Sequence, residues 1–70
     1  MPNFQQLVDD AAISVSELSR YANVDYRTAK KVVEGTGPTQ RAKVLALLRV
    51  INEILGTSYR LEDIDNLEIN

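Results

Sequence analysis

The sequence predicts an all-α fold: a compact arrangement of four to five short helices. Three observations carry that expectation. Apolar residues recur at i, i+3, i+4 and i+7 along most of the chain, the period of a helix with one buried face. Residues that start and stop helices stand at the breaks between these runs. Aromatic residues make up only 6% of the chain and there are three glycines, neither of which suits a β-rich or fibrous protein. Seventy residues are expected to form one domain, 1–70. Its single small core would be marginal, and oligomerisation is a common remedy at this size.

Phe4, Leu7, Val8 and Ala11 share one face of a first helix, with Asn3 placed as its N-cap. Ser14-Val15-Ser16-Glu17 has the S-x-x-E form of a capping box. In that arrangement the Ser14 hydroxyl accepts the Glu17 amide and the Glu17 carboxylate reaches back to Ser14. A short second helix therefore begins near Val15 and carries Leu18, Tyr21 and Ala22. Asn23 tolerates the left-handed conformation that ends a helix. Val24 reads as an apolar plug in a tight turn, and Asp25 as the N-cap of a third helix from Tyr26 to about Glu34. That helix turns Ala29, Val32 and Val33 inward, and Gly35 closes it.

Pro38 suits the first turn of a fourth helix, expected from about Thr39 to Leu55 and closed by Gly56. Val44, Leu47, Leu48, Ile51, Ile54 and Leu55 form its apolar face, which Leu45, Ala46 and Val50 widen. So wide a face implies a central helix or one shared with a second chain. Leu61, Ile64 and Leu67, spaced by three, predict a short fifth helix in an acidic C-terminal segment, 61–70, with Glu68-Ile69-Asn70 fraying.

The chain contains no cysteine and no histidine. Disulfides, thiolate and imidazole metal sites, cysteine nucleophiles and the commonest general base are thereby removed. There is no Asp/Gly loop of the calcium type and no carboxylate pair in a recognisable pocket, so no cofactor, no metal and no catalysis are expected. Apolar runs are too short to cross a bilayer and no basic-then-apolar leader opens the chain, so the expected location is the cytoplasm, without a membrane partner.

The net charge of −2 conceals a segregated pattern. Met1 to Ser19 carries −3. Arg20 to Arg49 sets seven bases (Arg20, Arg27, Lys30, Lys31, Arg41, Lys43, Arg49) against Asp25 and Glu34, a balance of +5. Val50 onward carries −4. A basic middle between acidic ends can meet a polyanion with one face.

That basic middle includes the most informative stretch, Ser14–Gly35: two short helices separated by about three residues. Ser19 and Ala29 are small enough for a close crossing, Asn23 can take positive φ at the corner, and Val24 plugs it from beneath. A helix-turn-helix of this kind lays its second helix in the major groove of double-stranded DNA, N-terminal residues nearest the bases. Those positions make Tyr26, Arg27 and Lys31 the candidate base readers, Arg27 with a fork suited to guanine O6 and N7. Arg20, Thr28, Lys30, Arg41 and Lys43 are the candidate phosphate contacts, the last pair with the free amides of helix four. Asp25 neutralises the helix dipole but repels phosphate, so its carboxylate is expected to turn inward.

The segment is similar, without a gap, to the helix-turn-helix of the lac-repressor family, through Tyr21-Ala22-Asn23-Val24-Asp25-Tyr26-Arg27-Thr28 and the pair Val32-Val33. It departs at Asn23 (usually glycine), Asp25 (usually serine) and Ser19 (usually a smaller residue), and the chain has neither hinge nor sugar-binding domain. As a whole the sequence resembles the five-helix phage-repressor, or Cro-like, domains of the lambda-repressor-like superfamily. The shared features are the first helix, the Gly-Thr-Gly-Pro loop at 35–38 and Leu-Gly-Thr-Ser at 55–58. The resemblance implies a transcriptional regulator, a repressor by preference, that binds DNA as a homodimer. Some members are antitoxins. The competing expectation is a helix-turn-helix protein-interaction module, antitoxin-like, whose acidic surface binds another protein.

Overall fold

In chain order the elements are α1 (Phe4–Ala11), α2 (Val15–Ala22), α3 (Tyr26–Glu34), α4 (Arg41–Leu55) and a 3-10 turn at Leu61–Asp63. They are seen in a computed structural model that describes residues 2–65 and 67–69. Among the described residues the only extended pairings are two isolated parallel bridges, Asn3 with Asp65 and Thr39 with Ile69. The fold is all-α and compact, with Cα extents of 27 × 25 × 17 Å.

The helix starts follow the caps legible in the sequence. Asn3 and Gln6 form a reciprocal capping box, with Gln6 N–H donating to Asn3 Oδ1 at 2.9 Å and Asn3 N–H donating to Gln6 Oε1 at 3.0 Å. Ser14 Oγ accepts the Glu17 amide at 3.1 Å, and Asp25 Oδ2 accepts the Thr28 amide at 3.2 Å. The Glu17 carboxylate does come back to Ser14, but it accepts from the hydroxyl at 3.3 Å rather than from the backbone.

All four helices end the same way, on a left-handed residue: Ala12, Asn23, Gly35 and Gly56. In each case the following amide reaches five residues back, as in Ile13 to Val8, Val24 to Ser19, Thr36 to Lys31 and Thr57 to Asn52. These bonds satisfy carbonyls that a helix C-terminus would otherwise orphan.

One apolar core joins the elements. Phe4, Leu7 and Val8 of α1, Leu18 of α2, and Ala29, Val32 and Val33 of α3 pack with Val44, Leu47, Leu48 and Ile51 of α4 and with Ile64. α4 touches every other element, which makes it the hub. Of the residues carried by α2, Leu18 and Ser19 are buried while Tyr21 is 67% exposed.

Helix four begins two residues later than expected. Pro38 and Thr39 lie outside it, because Thr39 is pulled into a bridge with Ile69 and its amide donates to the Glu68 carbonyl at 2.9 Å. The fifth helix is also replaced. After the 3-10 turn Ile64 is extended and buried, and the Asp65 amide donates to the Pro2 carbonyl at 2.9 Å. Leu61 and Leu67 pack on the core from half-buried positions. Glu68 and Ile69 are therefore tied to the α3–α4 loop rather than frayed, while Asn70 lies outside the described residues. Asn52 sets up this return. Its side chain accepts from Thr57 Oγ1 (2.8 Å) and the Tyr59 amide (3.0 Å) and donates to the Tyr59 carbonyl (3.0 Å).

Ala12 is the one cap whose residue type opposes its conformation, with φ at 54° and an exposed side chain. Holding an L-residue there costs about 1–2 kcal/mol, part of which glycine gives back as unfolded-state entropy. Ala12→Gly should therefore raise stability by roughly 0.5–1 kcal/mol in urea unfolding with an unchanged denaturant slope. Destabilisation would show that the cap is not strained.

Candidate nucleic-acid interface

The surface around α3 is built by the turn Asn23–Asp25. Asn23 takes φ 56° and ψ 41°, its amide donates to the Arg20 carbonyl at 3.3 Å, and Val24 donates to Ser19 at 2.9 Å. Val24 packs half-buried against the core, as a plug should. Ser19 is 8% exposed and turns its hydroxyl onto the Ser16 carbonyl at 2.8 Å, while Ala29 is fully buried. Both small residues thus sit where α2 and α3 meet.

With Ala29, Val32 and Val33 committed to the core, the other side of α3 faces outward. Tyr26 is 51% exposed, and Arg27, Lys30 and Lys31 are exposed. Among the described residues none of these three cations makes an ion pair; nor do Arg20, Arg41 and Arg49, all exposed. The exception in the basic middle is Lys43, whose Nζ lies 3.9 Å from Asp25 Oδ1. Both groups are about half exposed, where such a pair contributes little. The structure therefore brings Tyr26, Arg27, Lys30 and Lys31 onto one helix with Lys43 beside its N-terminus. Arg20 stands on α2 and Arg41 at the start of α4, on neighbouring elements.

Thr28 is occupied differently from the expectation. Its hydroxyl donates to Asp25 Oδ1 at 2.6 Å and its amide to Asp25 Oδ2 at 3.2 Å. The Asp25 carboxylate is thus bound to its own helix but, against the expectation that it turn inward, its side chain stays 58% exposed, because the capping bonds hold it at the surface end of α3. Those two Thr28 bonds, the hydroxyl's first, hold Asp25 below the ordinary aspartate value, and Lys43 adds a smaller pull.

Lys31 lies closer to α4 than its place on the helix suggests. A methyl group at Gly37 would stand 3.3 Å from Lys31 Cδ, so the lysine stem runs along that glycine. It lines a notch of about 200 Å³ with Thr28, Pro38, Thr39, Gln40 and Lys43. Thr39 and Gln40 are a polar pair directly before a basic helix start, and neither was among the candidate contacts expected from the sequence. A larger open groove, about 650 Å³, runs between α4 and residues 57–62. Leu45, Leu48 and Leu61 line it together with Arg41, Arg49 and Arg60.

The exposed apolar surplus of α4 is divided. Leu45 (37% exposed) and Ile54 (45%) are nine residues apart, which at 100° per residue places them on opposite flanks. They do not form one stripe. No helix among the described residues is long and apolar enough to cross a membrane.

Because the folded pKa of Asp25 is depressed, its cap contributes stability above the unfolded value, about 4, that is lost as pH falls through the folded value. Thr28→Val removes the larger cause and should move the Asp25 midpoint up toward the ordinary value in an NMR carboxyl titration. An unmoved midpoint would show that the hydroxyl bond is not the source. Compared with known proteins, the chain matches no family model, no curated protein and no solved structure.

Proposed function

We propose that this chain is a sequence-specific DNA-binding regulator, acting in the manner of a cytoplasmic repressor that occupies an operator. The observation that carries the reading is the outward face of α3, where Arg27, Lys30 and Lys31 are exposed and unpaired among the described residues. An α-helix with its side chains is about 10–12 Å across, which suits a major groove about 12 Å wide. In this reading Arg27 offers its fork to a guanine, and Tyr26 presses its ring on a thymine methyl or a sugar. Lys30, Arg20, Arg41 and Lys43 meet the phosphates on either side. Exposed Tyr21, at the end of α2, adds a further group able to rest on the backbone.

A single module of this size covers little DNA, so the reading includes a homodimer on a palindromic site. Two recognition helices must then lie about 34 Å apart. A longest Cα extent of 27 Å is compatible with two abutting copies reaching that spacing. Either flank of α4, around Leu45 or around Ile54, offers an apolar seat for the second copy.

A protein-interaction module that binds through its acidic surface is the second reading, favoured by the groove beside α4, where Leu45, Leu48 and Leu61 lie among charges of both signs, Glu53 and Glu62 with Arg41, Arg49 and Arg60. A heparin column separates the two. Elution well above physiological salt supports nucleic acid, and flow-through supports the protein partner.

Selection of bound duplexes from a random pool should return a preferred palindrome. On that duplex the log–log salt dependence should steepen by about 0.9 for every phosphate contacted, so a flat response would end the DNA reading. Arg27→Ala should cost about 1–3 kcal/mol and relax the choice at one base pair, whereas Lys43→Ala should weaken every sequence alike.

A further inference from the structure

The polar groups in the groove between α4 and residues 57–62 are mostly answered from within the chain. Asn52 is bonded to Thr57 and Tyr59, and Arg60 lies 3.5 Å from Glu62. Arg49 and Glu53 are the exception. They stand four residues apart on α4, a spacing at which opposite charges on a helix can meet, yet no ion pair joins them among the described residues. Arginine ahead of glutamate is the weaker order for such a contact within one helix. Both are exposed and both line the groove.

Leu45, one turn before Arg49, is 37% exposed and does not pack on the core. Arg41, Leu45, Arg49 and Glu53 thus form one row along α4, each four residues from the next. Whatever covers this row has to answer a cation and an anion one turn apart and take up an apolar side chain beside them. An acidic chain meets Arg49 but is set against Glu53, and a basic chain does the reverse. An uncharged apolar segment strips water from both without replacing it. The same row laid in the opposite direction carries the right charges in the right order.

We infer that the groove seats a second copy of this chain, its α4 antiparallel across a two-fold axis, with Arg49 of each copy on the partner's Glu53. One axis makes both ion pairs, because an isologous contact repeats every interaction. The other registers of the row are worse. Leu45 on the partner's Leu45 sets Arg41 on the partner's Arg49. Leu45 on the partner's Glu53 sets the two Arg49 side chains together. Leu45 on the partner's Arg49 pairs Arg41 with the partner's Glu53 but leaves a leucine against a guanidinium. A parallel alignment faces like charge on like. In the inferred register Leu45 falls beside the partner's Thr57, on the groove wall, and Arg41 stays free for phosphate. The inference deepens the homodimer of the DNA reading by choosing the Leu45 flank, while the pairing itself needs no nucleic acid.

The test is sedimentation equilibrium of the full chain without nucleic acid, from about 10 μM to about 1 mM, a range suited to a small interface. A reversible monomer–dimer equilibrium that stops at two is expected. Arg49→Glu and Glu53→Arg should each weaken it about tenfold or more, because the two-fold turns both ion pairs into like-charge contacts. Mixed in equal amounts, these two variants should dimerise as the parent does, since the acidic pair of one chain meets the basic pair of the other. The double variant Arg49→Glu/Glu53→Arg, with the parent's net charge, should also pair. Leu45→Ser should weaken the dimer and Ile54→Ser should leave it unchanged. A chain that stays monomeric, assemblies that grow past two, or single reversals that mixing does not rescue would overturn the pairing. Dissociation by Glu53→Arg but not by Arg49→Glu would give Glu53 to the partner's Arg41 and overturn this register. A dimer with the expected charge dependence that binds no selected duplex would support the pairing and overturn the DNA reading alone.

Discussion

Burial of one stripe of α4 is the interaction on which the rest of the molecule depends. Val44, Leu47, Leu48 and Ile51 are almost wholly removed from water, and α1, α2, α3 and the 3-10 turn all pack on that helix. In so small a chain no other surface could serve as a common wall. α3 is nine residues long, too short to hold its helix alone. What keeps it formed is Ala29, Val32 and Val33 pressed into this core, with Asp25 closing one end and Gly35 the other. Its outward residues are thereby presented on a rigid support.

The electrostatics follow from the same division. Acidic ends and a basic middle could have neutralised each other across the fold, but the described ion pairs are confined to Lys43 with Asp25 and Arg60 with Glu62. The cations of α3 are left to solvent, and the chain's overall acidity does not describe the side that α3 faces. An approaching polyanion experiences the local field within a Debye length, about 8 Å in physiological salt, far more than the net charge.

Where local chemistry decided the structure, the sequence was readable. Asn3, Ser14, Asp25, Asn23, Gly35 and Gly56 each act through bonds to residues at most five positions away, and each stands where its type implied. Ala12 escaped because nothing about alanine signals a left-handed cap. The C-terminal segment escaped for another reason. The spacing of Leu61, Ile64 and Leu67 fits a helix, but the Asp65 amide donates to the Pro2 carbonyl and the Glu68 carbonyl accepts the Thr39 amide, bonds to partners distant in sequence that a helix would not make. The same long-range pull moved the start of α4 past Pro38. On the candidate surface, the exposure of Tyr26, Arg27 and Lys31 followed from helical period alone. The occupation of Thr28 by Asp25 is as local as the caps, three residues along the same helix start, whereas the lean of Lys31 toward Gly37 needed the packed fold.

The separation of Leu45 from Ile54 bears on how copies of this chain can assemble. Contact through one flank alone, the same on both partners, is self-complementary and stops at two. Contact of one copy's Leu45 flank with the next copy's Ile54 flank is head-to-tail, and unless its rotation closes a ring it propagates into a fibre. Arg49 and Glu53 stand exposed on α4 in the groove that Leu45 lines and keep that flank from being wholly greasy. Replacing them with apolar residues would remove charges that disfavour open-ended polymers as well as altering a surface.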